Sequence, residues 1–350
     1  MKRRHAALLT LALLLPSSFA RADAFQRITP DAAGYSREKL AALAEFLGKS
    51  GSESLLLLHD GKVFFEWGDI RRKRLVHSMR KALLSSLIGI AESRGQIELD
   101  ATLEQLGIDD DTPLSAAEKK ARVVDLLASR SGVYLPAAAE SAGMAAGRPA
   151  RHSAAPGERY YYNNWDFNVA GFLFEKASGR RIYDAFLSDI AEPLGMLDYQ
   201  GKVGEREQPE VDGFYQLEPE RSRYRAYHLR LSAHDLALYG QLWLQRGQWQ
   251  GQQLIPASWV DRSTQPISII EPRWGLAYGL LWDVLVPEPG NERPSFFHTG
   301  AGVHMLGVYP RHGLVMVHRV DTEREDYRFN DGDLVQLIRL VHGARLPRRP

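Results

Sequence analysis

The stretch His77-Ser78-Met79-Arg80-Lys81, running on as residues 82–91, decides how this 350-residue chain is read. From Ser78 onward the pattern is helical and apolar nearly all round, with Leu83, Leu84, Leu87, Ile88 and Ile90. A helix apolar on every side belongs at the centre of a protein. Gly95 stands just past its end, where a left-handed residue closes a helix. Ser78 and Lys81 are three residues apart and so share a face. A serine hydroxyl beside a lysine amine can be a nucleophile beside its base, provided burial disfavours the ammonium form. The helix N-terminus adds partial positive charge where an oxyanion would develop. The same spacing recurs as Ser36-Arg37-Glu38-Lys39, where Ser36 reads as an ordinary helix cap. What separates the two copies is their surroundings.

Upstream, apolar runs at Leu55–Leu58 and Val63–Trp67 flank Asp60-Gly61, a hairpin signal. Before them an amphipathic helix opens at Tyr35-Ser36, with Leu40, Leu43, Ala44 and Leu47 on one face. Downstream, residues from about 96 to 270 read as mainly helical with long polar connections, and Pro256–Val260 as a late helix start. Strand character returns at Ala277–Leu285, Ser295–Phe297, His304–Tyr309 and Leu314–Val320, with a turn at Pro310–Gly313. A last helix, Asp331–His342, carries Leu334, Val335, Leu337, Ile338 and Val341 inward. The expected fold is α+β. One antiparallel sheet is built from both chain ends (23–95 and 271–345) and flanked by the terminal helices, with a mainly helical domain (96–270) inserted. A cleft then forms where the lobes meet.

Residues 1–22 read as a secretory signal: a basic start through His5, a short apolar run Ala6–Leu15, and Ala20-Arg21-Ala22 at the cleavage point. Removing them leaves 40 basic against 43 acidic residues, a net charge of −3. That balance offers no global field for nucleic acid, and no apolar run is long enough to leave a membrane anchor. The expected location is periplasmic or secreted. The absence of cysteine excludes disulfides and thiolate chemistry. The residues imply no cofactor and no metal: His298, His304, His312 and His318 lack a His-Glu-x-x-His helix, and strand alternation explains them equally well. No Gly-x-Ser-x-Gly elbow occurs. The basic run Arg71–Arg74 reads as a solvated loop or as a lure for anionic substrates.

Two further motifs follow Ser78 in order. Tyr160-Tyr161-Tyr162-Asn163-Asn164 contains Tyr162-x-Asn164, a phenol able to shuttle a proton if nearby cations lower its pKa, and an amide able to hold Lys81 and a substrate carbonyl. Taken alone it reads equally as a packed aromatic loop. His298-Thr299-Gly300-Ala301 lies on or after a strand. There a small residue leaves room for substrate backbone, and the Ala301 N–H can join that of Ser78 as an oxyanion hole. Ser78-x-x-Lys81, Tyr162-x-Asn164 and His298-Thr299-Gly300 together resemble the motifs of the serine β-lactamase family. Within it they resemble the class C-like branch of esterases, D-amino-acid peptidases, DD-carboxypeptidases and aminohexanoate-oligomer hydrolases. Asp125-Leu126-Leu127 with Ser131-Gly132, Leu231–Asp235 and Leu254-Ile255-Pro256 extend the likeness over nearly the whole mature chain.

The resemblance implies that Ser78 is acylated, that Lys81 and Tyr162 move protons, and that Asn164 and residues 298–301 bind an ester, amide or peptide. Relatives of the β-lactamase and penicillin-binding type carry lysine where this chain has His298, so an ester or amide is favoured over a β-lactam. A peptidoglycan DD-peptidase or weak β-lactamase, and a non-catalytic envelope binding protein of the same fold, stay open at this stage. Oligomeric state is not legible.

Overall fold

The computed structural model describes residues 25–287, 290 and 293–347, so the expected signal segment lies outside the described residues. A nine-stranded sheet runs through the molecule. Its strands in chain order are β1 (Gln26–Arg27), β2 (Ser54–His59), β3 (Lys62–Gly68), β4 (Ser268–Glu271), β5 (Leu276–Tyr278), β6 (Asp283–Leu285), β7 (Ser295–Gly300), β8 (His304–Tyr309) and β9 (Leu314–Arg319). Across the sheet they lie in the order β1-β3-β2-β9-β8-β7-β6-β5-β4. All neighbours are antiparallel except the short parallel β1–β3 pair. The β2–β9 pairing, Leu55 opposite His318 through His59 opposite Leu314, joins the two chain ends at the sheet centre.

Five longer helices matter for the site: α1 (Arg37–Ser50), α2 (Arg80–Ser93), α3 (Asn164–Ser178), α4 (Ala233–Leu244) and α5 (Asp331–Gly343). Helices α1 and α5 cover one sheet face, burying Leu40, Leu43 and Leu47 against Leu55, Leu57, Met316, Leu337 and Val341. Ser36 caps α1 by accepting from the Lys39 N–H, as its sequence position implied. Helix α4 covers the opposite face, and the missing side chain of Gly240 admits Val315 and Leu306. The strand period of two explains the division: Leu56 and Leu58 join the cluster on the α4 side, Leu55 and Leu57 that on the α1 side. Helix α2 threads the interior, and every residue from Arg80 to Ala91 is buried.

Four local expectations differ. The run 277–285 is not one strand but a hairpin of β5 and β6, because Leu281 takes a left-handed φ of 65°. Gly279 at that bend lies where a Cβ would be 2.3 Å from the Ser263 carbonyl oxygen. The helical lobe carries a small sheet of Arg74–Leu75, Ala226–Leu231, Gly213–Gln216 and Val203–Gly204. Val335, expected inside, is 43% exposed, since Leu334, Leu337 and Val341 already fill the buried stripe of α5. Regular helix begins at Arg80, preceded by a tight 3₁₀ turn at His77–Met79.

Two glycines test the packing of this frame. A Cβ on Gly89 of α2 would lie 2.3 Å from the Trp259 ring, whereas one on exposed Gly48 of α1 meets nothing. Gly89→Ala is therefore expected to cost about 1–3 kcal/mol. Gly48→Ala is expected to gain about 0.5–1 kcal/mol. Urea denaturation of the two variants measures both, and equal effects would contradict the packing described.

Candidate active site

The site begins with the segment that delivers Ser78. Arg74 is buried and pairs with Glu53 (2.6 Å), Glu323 (2.9 Å) and Asp321. Arg319, at the end of β9, donates to the carbonyls of Arg74 (2.9 Å) and Leu75 (2.8 Å). The basic run is thus solvated at Arg71 and Arg72, which are exposed, and turns inward at Lys73 and Arg74. Arg71 pairs with Asp198 at 2.9 Å, Lys73 pairs with Asp212, and Arg74 is an internal clamp. His77 then takes a left-handed φ of 46°. A non-glycine residue held there costs of order ~1–3 kcal/mol unless its surroundings enforce it. Here they do: the His77 ring bonds the Thr322 hydroxyl at 2.9 Å and stacks on His304 with centroids 5.4 Å apart.

That turn ends in Ser78, with Lys81 beside it. Lys81 Nζ lies 3.0 Å from Ser78 Oγ. Lys81 is 0% exposed, its amine 4.6 Å from the Tyr162 ring centroid and 4.8 Å from that of Phe167. Burial holds its pKa well below the ordinary lysine value. The Arg80 guanidinium adds to the effect, and the Asp283 carboxylate opposes it. Arg80 is itself buried, donating to the Tyr227 carbonyl (3.1 Å) and lying over the Tyr227 ring (4.6 Å). Lys81 is therefore an amine driven toward neutrality, within hydrogen-bond reach of the Ser78 hydroxyl.

Tyr162 is brought to the pair by a stapled loop. Ser129 Oγ donates to the Tyr161 carbonyl at 2.7 Å and accepts from the Asn163 N–H at 2.9 Å, while Ser131 Oγ donates to the Asp166 carboxylate at 2.5 Å. The segment around Ser131-Gly132 thereby fixes the tyrosine loop. One expectation is overturned here. Burial dominates over the Arg80 charge and pushes the Tyr162 phenol upward, with a bond to Ser78 working against that rise. Tyr162 is thus held toward its neutral, protonated form, and the nearby cations do not lower its pKa below the ordinary tyrosine value.

The other predicted residues are placed unequally. Asn164 opens α3 and donates to the Ala139 carbonyl at 2.5 Å, holding a neighbouring loop, while its Oδ1 has no bond among the described residues. On β7, His298 and Gly300 face the helical lobe. Thr299 lies opposite Met305, on the α1/α5 face, so its side chain is turned away from the pair. Gly300 is small for a different reason than room for substrate: a Cβ there would be 2.6 Å from the Val76 carbonyl oxygen. The β7 edge therefore packs directly on the segment before Ser78. Ala301 follows in the exposed turn to β8.

His298 is 1% exposed, and its Nδ1–H donates to the Thr299 carbonyl at 2.8 Å. Burial, then the Lys81 charge, lower its pKa to about 3. The position thus presents an uncharged imidazole. His304 Nδ1 accepts from the Val320 N–H at 3.1 Å, and His318 bonds the Ser52 hydroxyl at 2.9 Å, so both tether strands. Among the described residues Asp198, His234 and Asp235 have spacing that could hold a metal ion. Asp235, however, accepts the N–H groups of Leu197, Asp198 and Tyr199, and Asp198 accepts from Ser232 and Arg71. These are fastenings of the α4 N-terminus. Sequence reasoning missed Arg80, His77 and Asp283. A charged residue inside an all-apolar helix was a signal for the first.

A family model for beta-lactamase matches residues 44–339. The chain belongs to the beta-lactamase family. Members of this family are generally serine hydrolases. No curated protein matches the chain. A solved structure from Bacillus anthracis, provisionally described as a 6-aminohexanoate-dimer hydrolase, superposes with TM-score 0.66 at 16% identity, covering 93% of this chain and 89% of the other. A class C beta-lactamase gives 0.64 at 14% identity over 89% and 97%. The octameric penicillin-binding protein homologue from Pyrococcus abyssi gives 0.63 at 18% over 89% and 79%. At such identities the likeness shows the fold. Within this beta-lactamase-family chain, the neutral state of His298 is testable by nitrogen-15 NMR of labelled histidines. The Nδ1–H tautomer should persist from pH 7 to about pH 5, and a midpoint near the ordinary value of about 6.5 would contradict the burial argument.

Proposed function

We propose that this chain is an exported serine hydrolase that cleaves an ester or amide bond through a Ser78 acyl-enzyme. The observation that carries the reading is the 3.0 Å approach of a fully buried Lys81 amine to Ser78 Oγ. In the proposed reaction Ser78 Oγ bonds to the substrate carbonyl carbon as its proton passes to Lys81 Nζ. The Ser78 and Ala301 N–H groups hold the oxyanion, an arrangement supported by the packing of Gly300 on Val76. The intermediate collapses by expelling the leaving group, which takes the Tyr162 phenol proton. The Lys81 ammonium returns a proton to Tyr162. Water then attacks the ester with Lys81 again as base, and Ser78 is regenerated.

Uncharged His298 supports an ester or amide lacking a carboxylate at that place, and it weighs against the β-lactamase and DD-peptidase readings, whose substrates call for a cation there. Export rests on residues 1–22, and the mature chain should begin at Asp23 by intact mass.

Ser78→Ala should abolish labelling by a fluorophosphonate, and undiminished labelling would refute the nucleophile. Lys81→Met should slow acylation by about 10²- to 10⁴-fold, the range typical of a positioned general base. Stopped-flow acylation by p-nitrophenyl butyrate measures it, and a change of less than threefold would remove Lys81 from the mechanism.

A further inference from the structure

Helices α1 and α5 cover only part of the sheet face on which they lie. Beyond α5, strands β5, β6 and β7 form one wall of a groove of about 560 Å³. Leu276, Leu285 and Phe297 make that wall: Leu276 lies opposite Leu285, Leu285 opposite Ser295, and Phe297 shares the face of Ser295. The other wall is α5, where Val335, Ile338, Arg339 and His342 recur at helical spacing. They form a second stripe beside the buried one of Leu334, Leu337 and Val341. Trp274 stands at the rim and is 70% exposed. In β7, Phe297 faces this groove while His298 faces the helical lobe, so the strand separates the groove from the candidate active site.

The polarity of the groove is lopsided. Apart from Ser295 its walls are apolar until the last turns of α5, where Arg339 lies with His342 and His312. The Arg339 guanidinium makes no ion pair or hydrogen bond among the described residues. His312 also lines a second cavity, of about 850 Å³, whose wall includes Arg345 and Tyr35. Arg345 donates to His312 Nε2 at 3.0 Å and has no carboxylate partner among the described residues. The Tyr35 hydroxyl is buried without a hydrogen-bond partner among them. Of the acids in that wall, Asp31 is held by Arg37 at 2.5 Å and Asp60 lies 3.6 Å from His59. Burial, then the His312 and Arg345 charges, lower the His342 pKa to about 4. An apolar groove thus runs up to two guanidiniums that lack carboxylates.

We propose that this groove binds a fatty-acid-like amphiphile, its single acyl chain between α5 and strands β5–β7 and its carboxylate head at the Arg339–Arg345 end. The inference is independent of the hydrolase reading. The groove has the size of a small-molecule site, about 300–1,000 Å³, and the usual lining of one, apolar walls with a few polar groups. Thirteen residues line it. A stable protein interface takes roughly 20–30 a side, which weighs against a second copy of the chain. Its concavity suits one enclosed chain, whereas lying on a bilayer calls for an apolar face that projects. The head gains charge-assisted bonds from guanidinium, and each buried methylene of the tail adds affinity.

Isothermal titration of the mature chain with dodecanoate, below its micelle concentration, tests the site. Dodecanoate should bind saturably, one per chain, and about ten- to hundredfold more tightly than dodecyltrimethylammonium, the worth of a bond to a charged group. Replacing both Arg339→Gln and Arg345→Gln should erase that preference between head groups. Val335→Glu places a carboxylate in the groove wall at an exposed position, where folding is not at stake, and should weaken dodecanoate at least about tenfold. Ser78→Ala should titrate like the parent chain, which separates the groove from the candidate active site. No saturable binding, equal affinity for the two head groups, or loss of binding in Ser78→Ala overturns the proposal. So does self-association in analytical ultracentrifugation that Val335→Glu abolishes, which would assign the groove to a second copy. Binding to anionic phospholipid vesicles without binding of monomeric dodecanoate would assign it to a membrane surface and likewise overturn the proposal.

Discussion

A primary amine in water is an ammonium ion, and an ammonium ion cannot take a proton from serine. The candidate site depends on reversing that state at Lys81. Burial supplies most of the pressure, because a charge in a low-dielectric interior is poorly solvated. The fold obtains it by placing Lys81 in the first turn of a helix whose residues are buried from Arg80 to Ala91. Arg80 strengthens the effect with a fixed cation next door, held by a carbonyl and an aromatic face rather than by a carboxylate that would cancel it. Two adjacent basic residues thus have opposite fates: one stays charged so that the other need not.

An activated base is useless unless the hydroxyl is held against it, and that task falls to the strained turn at His77. Four elements converge on it. Arg319 from β9 grips the two preceding carbonyls, Arg74 is caged by three acids, β7 packs on Val76 through Gly300, and Thr322 with His304 fixes the His77 ring. The N-terminal segment, β7, β8 and the chain after β9 all contribute, so the site exists only where the two chain ends have been paired. The central β2–β9 ladder is therefore a precondition of the chemistry as well as of the fold.

Much of this was legible in the residues. Period-two and period-3.6 patterns indicated the terminal helices and the sheet from both ends, and Ser36 and Ser78 were distinguishable because only the second begins an all-apolar helix. What stayed hidden depended on contacts between distant segments. Nothing local marks Leu281 as left-handed, so the β5–β6 bend read as one strand and Asp283 passed as an ordinary strand residue. The tyrosine loop suggested a phenol whose pKa nearby cations would lower, whereas burial raises it, and Tyr278, which packs against the ring, lies more than a hundred positions away. The run at 71–74 read as one surface loop, and Arg71 and Arg72 are exposed, but the burial of Arg74 was hidden because its partners Asp321 and Glu323 are remote in the chain.

The same burial acts at His298. Burial leaves the His298 imidazole uncharged, so the position supplies no fixed cation. The account as a whole turns on the charge of one side chain, which can be observed directly. Carbon-13 Cε and nitrogen-15 Nζ resonances of lysine, with Lys81 identified by its loss in Lys81→Met, report protonation as pH is varied. A neutral Lys81 at pH values well below the free-lysine pKa of about 10.4 is the predicted result. An ammonium signal persisting to that value would contradict the mechanism at its first step.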